Sequence, residues 1–148
     1  MINWIVKHFN ELSPHELYAI MQLRNEVFVV EQNCVYPDAD NKDQPSYHLM
    51  GWMTEKLIAY ARLLPAGVAY PNYLSIGRVV TSPTARGKGL GKELMSRSIE
   101  QAEILFGRSP IKIGAQLYLK KFYMELGFRQ SSGVYLEDGI EHIEMIKE

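Results

Sequence analysis

The stretch from Tyr73 to Phe106 limits this chain to few folds. A strand-like run, "YLSIGRVV", passes through "TSPTARGKGLGKELM" directly into an amphipathic helix. Gly87, Gly89 and Gly91 stand at the helix entrance, where each glycine costs about 1 kcal/mol relative to alanine. Losing Cβ atoms there has a compensating use. At a helix start several backbone N–H groups lack an intrahelical partner, and the macrodipole adds partial positive charge. A bare backbone lets an oxyanion approach those donors closely, which makes a phosphate cradle. Arg86, Lys88 and Lys92 supply charge around its rim.

The spacing excludes two common phosphate sites. The pattern G-x-x-x-x-G-K-[ST] needs one more residue between its glycines, and Glu93 stands where Ser or Thr would hold magnesium. The dinucleotide pattern G-x-G-x-x-G fails too, because the spacing is G-x-G-x-G, in mid-chain after an antiparallel meander. What is left is R-x-x-G-x-G, Arg86 to Gly91, directly after a strand.

Elements around this segment read as follows. "INWIVKHF" alternates as a first strand. Ser13 as N-cap, Pro14 at the first helical position and Glu16 at the capping-box position start a helix. Leu17, Ile20, Met21, Arg24, Val27 and Phe28 then recur at helical spacing over about four turns. "NCVYPDADNKDQPS" reads as a long polar loop, and its "DADNKD" as a solvated turn. "HLMGWMT" and "LIAYARLL" read as strands joined by a tight turn at Glu55 and Lys56. After the glycines, Leu94, Met95, Ile99, Ala102 and Phe106 mark one face of a helix. "IKIG" is a short buried strand, "QLYLKKFYMEL" a helix stopped by Gly127, and "VYLEDGIEHIEMI" a hairpin turning at Asp138-Gly139. The order predicts one α/β (mixed α+β) domain over residues 1–148, a mixed sheet with helices on its faces.

Bulk properties narrow the partners. A net charge of −1 supplies no global field for nucleic acid or an anionic membrane, so any anion site must be local. A single cysteine, Cys34, excludes an intramolecular disulfide and fits a reducing compartment. "MINWIVKHFN" carries neither a long apolar run nor a small-residue cleavage site, so a cytoplasmic protein is expected. The four histidines have no ligand spacing, and no metal site is expected.

R-x-x-G-x-G after a strand resembles the acyl-CoA signature of the GNAT family of N-acetyltransferases. "KKFYMELGF" resembles that family's F-Y-x-x-x-G-F segment. "LRNEVFVVEQNCVYPDADNKD", "HLMGW", "IGRVVTSP" and "EDGIEHIEM", in that order, are similar to its bacterial ElaA-type subgroup. The resemblance implies a mostly antiparallel sheet splayed after the fourth strand, with acetyl-CoA as cosubstrate. It implies that the backbone of Arg78, Val79 and Val80 pairs with the pantetheine arm. The diphosphate would rest on amides of Arg86, Gly87, Lys88, Gly89, Leu90 and Gly91, with Lys92 beside them. The reaction implied is acetyl transfer to a primary amine, on a small molecule or a peptide, by direct attack on the thioester. Tyr123 matches the family's general acid, and a monomer or homodimer is expected.

The base is less determined. Many such enzymes carry a glutamate on the strand before the glycines, where this chain reads Gly77-Arg78. Glu31, His48 and His142 are the candidates, a histidine being suited to take a proton near neutral pH. Solvent could serve instead. Arg78 in an apolar strand requires either a salt bridge, with Glu26 or Glu31 as partner, or an exposed sheet edge. Cys34 as a nucleophile has no feature nearby that would depress its pKa. Two other functions fit the same residues: a CoA-binding regulatory or sensing domain, favoured by the missing strand carboxylate, and an interaction module with purely structural glycines. The acidic surplus of Glu26, Glu31, Asp38, Asp40, Asp43, Glu137, Asp138 and Glu141 over Arg24 and Lys42 would suit a cationic acceptor.

Overall fold

The computed structural model describes residues 1–148. Strands β1 (Asn3–His8), β2 (Tyr47–Met53), β3 (Lys56–Leu64) and β4 (Ser75–Thr81) form an antiparallel sheet in that order. A second sheet holds β5 (Ile111–Gln116), β8 (Ile140–Lys147) and β6 (Arg129–Gln130), with β7 (Tyr135–Glu137) also paired to β8. The two sheets touch at one parallel bridge, Leu74 to Ile111, where Lys112 N–H donates to Leu74 O at 2.9 Å. Beyond that point β4 and β5 diverge, which is the splay expected after the fourth strand. The short β6 is an addition to the expected strand order.

Helices cover both faces. Helix α1 (Pro14–Arg24) starts as its sequence predicts: Glu16 N–H donates to Ser13 Oγ at 3.1 Å, and Ser13 N–H donates to Glu16 Oε1 at 2.8 Å. The helical spacing through Phe28 continues, but Asn25–Glu31 widens into a π-helix. Gln32 N–H reaches back to Val27 O, and Cys34 N–H to Val29 O, both at 3.0 Å. The β-branched Val27, Val29 and Val30 lower the propensity for the tighter α turn here, and π turns concentrate at functional sites. Helix α2 (Leu90–Phe106) covers the other face, and α3 (Lys120–Glu125) is shorter than expected because Leu117–Leu119 forms a 3₁₀ turn before it.

Strands β2 and β3 are buried on both faces, so they lack the alternation of a half-exposed sheet. Leu49, Ala61, Leu63, Leu94 and Met95 join Ile113, Ile143 and Met145 in a cluster that spans both sheets beneath α2. Ile20, Leu23, Val27, Met50 and Tyr60 form a second cluster beneath α1. The tight turn after β2 falls at Thr54 and Glu55 rather than Glu55 and Lys56, with Thr54 at φ 57°. Asp138 and Gly139 both have positive φ, 52° and 79°, the geometry of a two-residue hairpin turn.

Candidate active site

Divergence of β4 and β5 opens a cleft of about 900 Å³. Arg78, Val79 and Val80 line one wall; Ile113, Gly114 and Gln116 line the other. Past Leu74 the β4 edge that faces β5 has no strand partner, so its main-chain groups are available to an extended ligand. The side chain of Val80 is buried in the cluster under α1, which leaves its backbone to face the cleft.

At the cleft mouth Arg86 and Gly91 line the opening, and Gly87, Lys88, Gly89 and Lys92 are exposed there. A Cβ added at Gly87, Gly89 or Gly91 would meet nothing within 4 Å. Gly89 caps α2 in the left-handed conformation at φ 73°, and no side chain caps the helix. The first intrahelical donor is Glu93 N–H, to Gly89 O at 3.1 Å. The amides before it are therefore free, at the positive end of the helix dipole. Leu90 contributes backbone alone, its side chain being buried in the core.

Tyr123, the buried residue of α3, lines the cleft and packs edge-on against Phe122 and Phe128. Burial pushes its phenol up to about 12, with Tyr118 adding to the effect. His142 on β8 also lines the cleft. Its Nδ1 lies 2.7 Å from Ile140 O, an atom that only accepts, so the proton is assigned to Nδ1 and Nε2 keeps its lone pair. Glu137 Oε2 stands 3.7 Å from that Nε2, and the ring stacks on Tyr135.

Two expected bases are differently employed. His48 is fully buried outside the cleft, its Nδ1 at 2.6 Å from Tyr60 Oη and Nε2 at 2.9 Å from Asp43 O. Burial pushes its pKa down, and with both nitrogens occupied it has no route to substrate. Glu31 does line the cleft, but both its oxygens hold Arg86, at 2.8 and 2.7 Å. The hydrogen bonds and charge of Arg86 hold that carboxyl below its ordinary range, so it is a weak proton acceptor at neutral pH.

The segment read as a solvated turn is the main correction. Asp38 and Asp43 are buried, and with Asp40 they bind three arginines. Arg24, with no exposed surface, donates to Asp38 Oδ2 and Asp43 Oδ1, both at 2.8 Å. Arg62 donates to Asp40 Oδ1 and Oδ2 and to Asp43 Oδ1 at 2.8–2.9 Å. Arg78 Nε donates to Asp38 Oδ1 at 2.9 Å, so its partners are loop aspartates and neither Glu26 nor Glu31. Burial alone would raise the Asp40 and Asp43 carboxyls, but the arginines outweigh it and both lie below the usual range. A sequence signal existed: three arginines on otherwise apolar elements, "YAIMQLR", "YARLL" and "IGRVV", and three aspartates in one loop. Cys34 Sγ sits 3.5 Å from Asp138 O, tying the start of that loop to the last hairpin turn. No group of three or more potential metal-ligating side chains occurs, and no helix is long and apolar enough to cross a membrane.

The sequence and the fold both recur in known proteins. Residues 24–148 match the family described as acetyltransferase (GNAT) domain. ElaA of Escherichia coli is 43% identical over 150 residues, covering 100% of this chain and 97% of that protein. The crystal structure of ElaA superposes with a TM-score of 0.93, at 43% identity and full coverage of both chains. An acyl-CoA N-acyltransferase from Pseudomonas aeruginosa superposes at 0.96, with 45% identity and full coverage of both. This chain thus belongs to the GNAT family of acyl-CoA-dependent acyltransferases, on the branch that includes ElaA.

Proposed function

We propose that the whole chain is one catalytic unit that transfers an acetyl group from acetyl-CoA to a primary amine by direct attack. The observation that carries this reading is the coincidence of the β4–β5 split with an uncapped helix start whose three glycines face open space. A thioester chain needs an extended backbone partner, and a diphosphate needs converging N–H donors. The cleft offers the two in sequence. The Pseudomonas aeruginosa relative's description as an acyl-CoA N-acyltransferase supports the same reading.

Acetyl-CoA supplies an activated acyl group, and the protein's residues bind, orient and move protons. Backbone groups of Arg78, Val79 and Val80 hold the pantetheine arm. Amides from Arg86 through Lys92 hold the diphosphate. An attacking amine must first lose a proton. His142 Nε2 accepts it, and Glu137 beside that atom steadies the imidazolium formed. Tyr123 donates a hydrogen bond to the sulfur as charge develops there. With a phenol near 12 and a thiol near ~8.5, full proton transfer is uphill, so its role is donation rather than release of a proton. As the tetrahedral intermediate collapses, the acylated nitrogen releases its second proton to solvent, and the departing thiolate takes one up from solvent.

A free-thiol assay with acetyl-CoA over a panel of amines and peptide N-termini tests the reading. Acceptor-dependent thiol release that falls in a His142→Gln variant is the expected result. Saturable CoA binding with no release for any amine would instead favour a sensing domain.

A further inference from the structure

Six non-glycine residues have positive φ, and five of them stand in turns and loops. The sixth, Arg78 at φ 50°, sits inside strand β4. It lies where the β3–β4 register slips: Tyr60 faces Val80 while Arg62 faces Gly77. Ala61 is therefore opposed by two residues, Arg78 and Val79, a one-residue bulge on the wall of the acyl-CoA cleft. Glycine is the residue that normally fills such a left-handed position, because a Cβ is disfavoured there. The conformation here is held by a side chain that glycine lacks.

That side chain is clamped. Arg78 Nε donates to Asp38 Oδ1 at 2.9 Å, Nη2 donates to Asp38 O at 3.0 Å and to Asp40 Oδ2 at 3.4 Å, and the guanidinium lies 5.5 Å from the Tyr36 ring centroid. Asp38 is itself anchored: its Oδ2 and carbonyl accept from Arg24 Nε and Nη2 at 2.8 and 3.0 Å, and its Oδ1 accepts from Tyr36 Oη at 2.7 Å. Helix α1 thereby holds the aspartate, the aspartate holds Arg78, and Arg78 holds the bulge.

We propose that Arg78 is a positioning residue: clamped by Asp38, it keeps β4 in the left-handed bulge that shapes the cleft wall formed by Arg78 and Val79. This rests on the reading of the cleft as an acyl-CoA site. The clamp acts on turnover through the backbone, and on the acceptor through the loop carrying Tyr36, Asp38 and Asp40.

Arg78→Ala and Arg78→Gly separate the two actions. Both release the loop, so both raise the acceptor KM to a similar extent. Only alanine penalises the left-handed backbone, so kcat should fall in Arg78→Ala by about ten-fold or more relative to Arg78→Gly. Crystal structures of the two variants read the bulge without any activity: φ at position 78 is expected extended with alanine and positive with glycine. Equal kcat in the two variants, or a positive φ retained with alanine, would overturn the proposal. If the unaltered protein turned over no amine, the proposed function would fail while the crystallographic φ still decided the role of the clamp.

Discussion

Single residues carry the proposed chemistry. Tyr123 is buried enough to be held protonated at any physiological pH, and it borders the cleft at the level of β5. Replacing it with phenylalanine keeps the edge-on packing against Phe122 and Phe128 and removes one donor. A Tyr123→Phe variant should lose about ten- to a hundred-fold in kcat with CoA affinity unchanged, measured by thiol release and calorimetry. Full turnover in that variant would remove the donor role. Arg24 belongs to the same scale for a different reason. It is fully buried against Asp38 and Asp43, and truncating it leaves their buried network one positive charge short. Arg24→Ala should destabilise by about 3–5 kcal/mol in urea unfolding, far beyond the effect of losing an exposed pair such as Arg97–Glu93.

Elements differ in how far their sequence announces them. The start of α1 was legible because Ser13, Pro14 and Glu16 act within one turn, and the last hairpin because Asp138-Gly139 suits positive φ. The glycine segment was legible because strand, bare backbone and helix adjoin in sequence. The Asp38–Asp43 loop was not. Its partners lie 14 to 40 residues away, so local polarity suggested solvent where tertiary pairing supplies arginines. The burial of His48 is hidden for the same reason, since a lone histidine in the sequence shows nothing of Tyr60 or of the Asp43 carbonyl. His142 needed the structure too, because its open nitrogen is set by a backbone carbonyl. The loop has its own signature. Asp40 and Asp43 titrate below the ordinary range when folded, so the unfolded chain binds their protons first as pH falls. Their stabilisation is complete above about pH 5 and is lost progressively below it. Urea midpoints followed from pH 7 to 3 should fall in that window, and the fall should be shallower in Asp43→Asn. A variant that tracks the parent throughout would contradict the pairing.

At the scale of the molecule, the arrangement is two antiparallel sheets sharing one bridge, with the cleft in the gap between them. Helix α2 brings its free amides to the gap's mouth, the π-helix and the aspartate loop line one side, and β8 with α3 line the floor. Charge is arranged so that most cleft cations are already answered: Arg86 by Glu31, and Arg78 by Asp38 and Asp40. In the proposed reading the anion site falls to backbone donors at the helix entrance, a local feature that the net charge of −1 does not show. Isothermal titration of acetyl-CoA into the protein and into Gly89→Val tests that claim most directly. The account predicts saturable binding by the parent at micromolar ligand, weakened by about ten-fold or more in Gly89→Val, where a side chain strains the left-handed cap and crowds the cradle. Binding of equal strength in both, or no heat from the parent at millimolar ligand, would contradict it.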